Sequence, residues 1–180
     1  MKGKALFLDR DGVVNYDYGY VHSVKNLEFI EGIFDICKIA KALDYSVIII
    51  TIRSGIGRGY YSEETFRRFM EYILSSFDMR GVTITDYYYC PYHSEKGIGK
   101  FKKESYFRKP NPGMIYKAAF DYSISLPHSL LIADKMTDIE AGNRAGIGRN
   151  ILLNRKSLAR KGNIEHSEIK ELHEVVKFFK

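Results

Sequence analysis

A doubly wound parallel α/β fold, Rossmann-like and without a separate cap domain, is predicted by three features of this 180-residue sequence. Short apolar runs recur along it, longer segments of helical period lie between them, and the two alternate from end to end. Nearly continuous apolar runs are what strands require when both faces of a sheet are covered, and such sheets pair in parallel through right-handed crossovers. No Pro/Gly-rich linker, internal repeat or low-complexity tract divides the chain, so one domain is expected over residues 1–180.

Ala5-Leu6-Phe7-Leu8 is the first strand, and Ile33 to Leu43 follows with apolar residues three and four apart, a helix with one covered face. Cys37 falls on that face as a small core residue. Val47-Ile48-Ile49-Ile50 is the second strand and Glu63 to Phe77 the second helix. Ile84 to Tyr89, Gly113 to Tyr122, Leu130-Leu131-Ile132, Thr137 to Ala145 and Ile151-Leu152-Leu153 continue the alternation. The last amphipathic stretch, Ser167 to Phe179, is read as a terminal helix.

Composition excludes several classes. With 45% hydrophobic residues the chain can bury a core unaided, but no apolar stretch approaches the roughly 18 residues of a membrane span. The opening MKGKALFLDRDG meets acids where a signal peptide would stay apolar, and two cysteines make no disulfide framework; a cytoplasmic protein with no membrane partner is expected. The formal charge of +6 suits an anionic small molecule or a solvated lysine surface. Lysines scattered through Lys96 to Lys109 and Lys156 to Lys180, without interleaved arginine and aromatic residues, argue against a nucleic-acid partner.

In a doubly wound sheet ligands bind beyond the carboxyl ends of the strands, so the residues just after each apolar run carry the chemistry. The first run ends in Asp9-Arg10-Asp11-Gly12: two carboxylates that call for a cation nearby, although Asp-Gly is also ordinary turn chemistry. Thr51 closes the second run ahead of Ile52-Arg53-Ser54-Gly55-Ile56-Gly57, where hydroxyls and loop amides can donate to an anion. Lys109 precedes a helix in Arg108-Lys109-Pro110-Asn111-Pro112-Gly113 and can aim an ammonium at the sheet edge. Asp134 and Asp138 follow the fourth run, Asp138 being open to a helix-capping role as well. Acids, a hydroxyl, a lysine and acids again describe a hard-cation site with a phosphate clamp, suited to Mg²⁺.

LFLDRDGVVN, Thr51, Lys109 and Asp134/Asp138, in that order, resemble the four motifs of the haloacid dehalogenase superfamily. Over residues 4 to about 153, DRDGVVNYDYGYVHSVKNLEFIEG, TIRSGIGRGYYSEETF, YYYCPYH, RKPNPGM and ADKMTDIEAG are similar to the D-glycero-D-manno-heptose 1,7-bisphosphate phosphatases of lipopolysaccharide core synthesis and to the related histidinol-phosphate phosphatases. The resemblance implies a phosphatase with Asp9 as nucleophile, Asp11 as general acid and base, and Thr51 and Lys109 on the transferring phosphoryl group. It implies Mg²⁺ on the Asp9 carboxylate, the Asp11 carbonyl and Asp134, with Asp138 supporting the metal or Lys135. Asp17, Gly19, Tyr20 and His22 match a loop that meets substrate; Arg53, Ser54, Arg108 and Lys135 complete the expected contacts. A small phosphorylated sugar is the expected substrate, and a monomer the expected state of the protein.

Three departures from the family stand out. Its structural zinc is held by a Cys-x-His and a later Cys-x-Cys element; here Cys90-Pro91-Tyr92-His93 shifts the histidine and Ser105-Tyr106-Phe107 lacks the later thiols. Two ligands do not make a tetrahedral site, so no structural zinc is expected, with Tyr106 and Phe107 packing the loop instead. Ile52-Arg53 stands where relatives carry Asn-Gln, and Arg53 can reach an extra phosphate or carboxylate. Ala133 replaces a glycine before Asp134. Because Asp11 must give and take a proton, its pKa is expected above that of free Asp. Histidinol phosphate is the rival substrate, and a phospho-acceptor receiver domain is the rival outside enzymes.

Overall fold

The computed structural model describes residues 2–155 and 164–180; Lys156 and Lys161 of the second basic run lie outside the described residues. In chain order come β1 (Lys4–Asp9), α1 (Ile33–Ala42), β2 (Tyr45–Ile52), α2 (Ser54–Gly57), α3 (Glu63–Asp78) and β3 (Asp86–Cys90). After them come α4 (Gly113–Asp121), β4 (Leu130–Ala133), α5 (Met136–Ala145), β5 (Arg149–Leu153) and β6 (Ser167–Ile169). The strands form one six-stranded sheet in the order β3-β2-β1-β4-β5-β6, and every pairing is parallel.

Alternate residues of one strand point to opposite faces, and both faces are covered. Leu6, Leu8, Val47 and Ile49 pack with Ile33 and Ile36 of α1 and with Phe66, Met70 and Ile73 of α3. Ala5, Phe7, Ile48 and Ile50 pack on the other face with Met114, Ile115 and Ala118 of α4 and Ala141 of α5. This two-sided burial is why β1 and β2 read as unbroken apolar runs. Helix ends follow local rules: Ser62 accepts from the Thr65 amide at 3.0 Å to start α3, and Gly146 at φ 80 stops α5.

The predicted terminal helix is corrected. Ser167–Ile169 instead forms β6, with Ile169 opposite Leu153 on the otherwise open edge of β5. Leu172–Phe178 then winds as a 3-10 turn, burying Leu172 and Val175, whose spacing of three matches its period. Among the described residues no helix is long and apolar enough to cross a membrane.

β2 and β3 lie to one side of β1, and β4 to β6 to the other. The topological switch point therefore falls between the carboxyl ends of β1 and β4, beside Asp9 and Asp134.

Candidate active site

β1 ends at Asp9 and the chain turns back at once, the amides of Val14 and Asn15 donating to the Arg10 carbonyl at 2.8 and 3.1 Å. Gly12 sits in this turn at φ 94, and a Cβ there would overlap the Asp134 carboxylate. The glycine thus lets the acidic ends of β1 and β4 close on one another.

Lys109 enters from the loop before α4. Its side chain is buried, and Nζ donates to Asp9 Oδ1 at 2.8 Å, to the Ile50 carbonyl at 2.9 Å and to Asp138 Oδ1. Burial alone would lower this lysine's pKa, but Asp138 and Asp9 outweigh it and raise it. Asp138 is therefore the partner of Lys109, not of Lys135, and its side chain makes no cap on α5. Thr51, at the end of β2, is 1% exposed, and its hydroxyl has no hydrogen-bond partner among the described residues. An orphaned hydroxyl at this depth is costly unless a ligand oxygen completes it.

Negative charge is concentrated at the mouth. Burial and the facing Asp9 carboxylate push the Asp134 pKa up, and the same two causes raise Asp138. Among the described residues no three His, Cys, Asp or Glu side chains form a metal-ligand cluster. The Asp9 and Asp134 carboxylates with the Asp11 carbonyl are nevertheless hard oxygen donors, and Mg²⁺ usually takes one or two carboxylates and fills its shell with water and phosphate oxygens. The residues fit that ion.

Asp11 overturns an expectation. Its Oδ1 accepts from Arg10 Nε and Nη2 at 3.1 and 2.8 Å and from Asn15 Nδ2 at 3.0 Å, while Oδ2 accepts from Arg53 Nη2. Burial works against the carboxylate, but Arg53 and Arg10 outweigh it and hold the pKa far below the ordinary range, not above it. Two guanidiniums prefer the ionised acid more strongly than the dry setting disfavours it.

Arg10 is the functional residue the sequence reading missed. It is wholly buried, its guanidinium carbon lies 5.0 Å from the Phe69 ring centre, and Nη2 also donates to the Val21 carbonyl. One side chain so fixes both Asp11 and the loop of residues 17 to 22. A charged residue between two acids within an apolar stretch was the available signal.

Of the expected substrate residues, Asp17, Gly19, Tyr20, Arg53, Ser54 and Lys135 line one cavity of about 330 Å³ together with Asp11. Lys135 donates to Asp17 Oδ2 at 3.0 Å across its mouth. His22 stands outside the lining, stacked on Tyr61 at 4.4 Å with Nδ1 2.6 Å from the Tyr20 carbonyl. Arg108 lines a neighbouring cavity of about 420 Å³ with Lys109 and donates to the Tyr92 carbonyl at 3.0 Å. The loop after β3 is not packed by Tyr106 and Phe107, which are 58% and 37% exposed. Buried Cys90 and the half-buried Tyr92 and Phe101 fill its inside, and Phe101 lies against Gly57 of α2. His93 Nδ1 accepts from the amides of Glu95 and Lys96 at 3.3 and 3.2 Å.

A HAD-hydrolase-like family model matches residues 106–176. The chain is 45% identical to a D-glycero-alpha-D-manno-heptose-1,7-bisphosphate 7-phosphatase of Burkholderia mallei, over 99% of this chain and 94% of the relative. It is 41% identical to a D-glycero-beta-D-manno-heptose-1,7-bisphosphate 7-phosphatase of Vibrio cholerae, over 85% of this chain and 82% of the relative. The crystal structure of the D,D-heptose 1,7-bisphosphate phosphatase from B. bronchiseptica, complexed with magnesium and phosphate, superposes with a TM-score of 0.84 at 26% identity, covering 97% of each chain.

Proposed function

Because the chain belongs to the haloacid dehalogenase-like hydrolases, in the family of the heptose-1,7-bisphosphate 7-phosphatases, and is a phosphoric monoester hydrolase, we propose that it removes the 7-phosphate of D-glycero-D-manno-heptose 1,7-bisphosphate. The supporting observation is the convergence of the Asp9 carboxylate, the Lys109 ammonium and the unpartnered Thr51 hydroxyl at the switch point of the sheet. All these groups come from one chain, and we take the working unit to be a monomer. The receiver-domain reading falls away, since the relatives are phosphatases and Asp9 closes the first strand.

In the first half-reaction an Asp9 oxygen forms a bond to phosphorus as the bond from phosphorus to the sugar oxygen breaks, and Asp11 gives that oxygen a proton. Lys109 and Thr51 hold the phosphoryl oxygens through the transfer, stabilising charge where it develops. In the second, a water oxygen bonds to phosphorus and the Asp9–phosphorus bond breaks, the water's proton passing to Asp11. Inorganic phosphate leaves and Asp9 is restored. Mg²⁺, held by Asp9, Asp134 and the Asp11 carbonyl, would supply charge neutralisation at the phosphoryl group. No structural zinc enters this scheme.

A phosphate-release assay with Mg²⁺ on both anomers of the heptose bisphosphate and on histidinol phosphate tests the proposal. A kcat/KM on one heptose anomer at least ~100-fold above that on histidinol phosphate is expected. Preference for histidinol phosphate would overturn the substrate assignment.

A further inference from the structure

We propose that Arg53 is a positioning residue that locks Asp11 and that a second anionic group on the substrate draws it away, so that proton transfer is enabled by the ester that carries that group. The inference rests on the phosphatase reading of the site. Asp11 Oδ1 is filled by Arg10 and Asn15, which leaves Oδ2 as the oxygen able to exchange a proton with a leaving group or water. Arg53 Nη2 occupies Oδ2. While it stays, the acid and the incoming oxygen compete for the same position.

Arg53 has both the means and the room to leave. It is 6% exposed, its Nε has no hydrogen-bond partner among the described residues, and it lies on the wall of the 330 Å³ cavity that opens beside Asp11. A planar donor fork with Nε unused suits bidentate capture of a phosphate or carboxylate. The other cation of that cavity, Lys135, is already paired with Asp17. An ester with a single phosphate delivers its charge to Lys109 and Thr51 and leaves Arg53 on Asp11. A bisphosphate brings a second anion to the cavity, and Arg53 moves from the carboxylate to it. Asp11 keeps Arg10 and Asn15 throughout, so the side chain stays oriented as Oδ2 is freed.

The test compares D-glycero-D-manno-heptose 1,7-bisphosphate with the 7-monophosphate, which share the scissile bond, in the full chain with Mg²⁺. The native protein is expected to show a kcat at least ~10-fold higher on the bisphosphate. Arg53→Gln should raise kcat on the monophosphate by about 5-fold and raise KM for the bisphosphate by about 10-fold, bringing the preference close to unity. A purely structural role would slow both esters alike. That result, or equal kcat values in the native protein, overturns the lock. Should Arg53→Gln fail to fold, Arg53→Lys reads the same ratio: a fall of about threefold or more supports the lock and an unchanged ratio overturns it. Absence of phosphate release from either ester and from p-nitrophenyl phosphate would instead overturn the phosphatase reading beneath it.

Discussion

Lys109 Nζ donates to Asp9 Oδ1 at 2.8 Å, joining residues 100 positions apart in the chain. The same ammonium binds Asp138 and the Ile50 carbonyl, so one buried cation ties the ends of β1 and β2 to the first turn of α5. Its position serves the phosphoryl group and the fold at once.

Lys109→Ala should therefore cost stability as well as rate. Asp9 and Asp138 would be left as buried carboxylates without their cation, a loss of about 3–5 kcal/mol. Denaturant unfolding checks this, and the double variant Lys109→Met/Asp138→Asn should recover part of the stability while staying inactive. Recovery of activity in the double variant would contradict the role given to Lys109.

Gly12→Ala places a methyl group into the Asp134 carboxylate at a backbone angle that favours glycine. A destabilisation of about 1–3 kcal/mol is expected. The Mg²⁺ concentration for half-maximal activity should rise by at least ~10-fold, since the displaced carboxylate is an intended ligand. An unchanged Mg²⁺ requirement would show that Asp134 does not hold the ion.

Much of this was legible in the sequence, for a physical reason: a parallel sheet gathers its strand ends, so Asp9, Thr51 and Asp134 could be placed together from the apolar runs they close or follow, and Lys109 from the helix it precedes. What could not be read was the direction of long polar side chains. Arg10 turns inward onto Phe69, and Arg53 reaches Asp11 from 42 residues away. Both contacts depend on packing that periodicity does not encode. With them went the sign of the Asp11 pKa shift. β6 escaped because a three-residue strand carries almost no pattern, and its role is set by the open edge of β5.

Arg10→Met removes a fully buried guanidinium that holds Asp11 and the Val21 carbonyl. Destabilisation of about 3 kcal/mol is expected, because Val21 loses its donor and Asp11 keeps only Arg53 and Asn15 as partners. Faster amide exchange in residues 17 to 22 should accompany it. Unaltered exchange there would show that Arg10 does not anchor the loop.

Cys37 and Cys90 are both buried, and burial pushes both thiols above their ordinary pKa. A thiol reagent at pH 8 should label neither cysteine of the native protein within minutes and both after denaturation. Rapid native labelling of either would place that side chain at the surface.

Rapid acid quench of the enzyme during turnover, followed by mass spectrometry of the peptide bearing Asp9, tests the covalent route most directly. A phosphoryl group on Asp9, absent from Asp9→Asn together with more than about 10³-fold loss of rate, is the expected result. Steady turnover in Asp9→Asn, or a phosphoryl group found on a different residue, would contradict it.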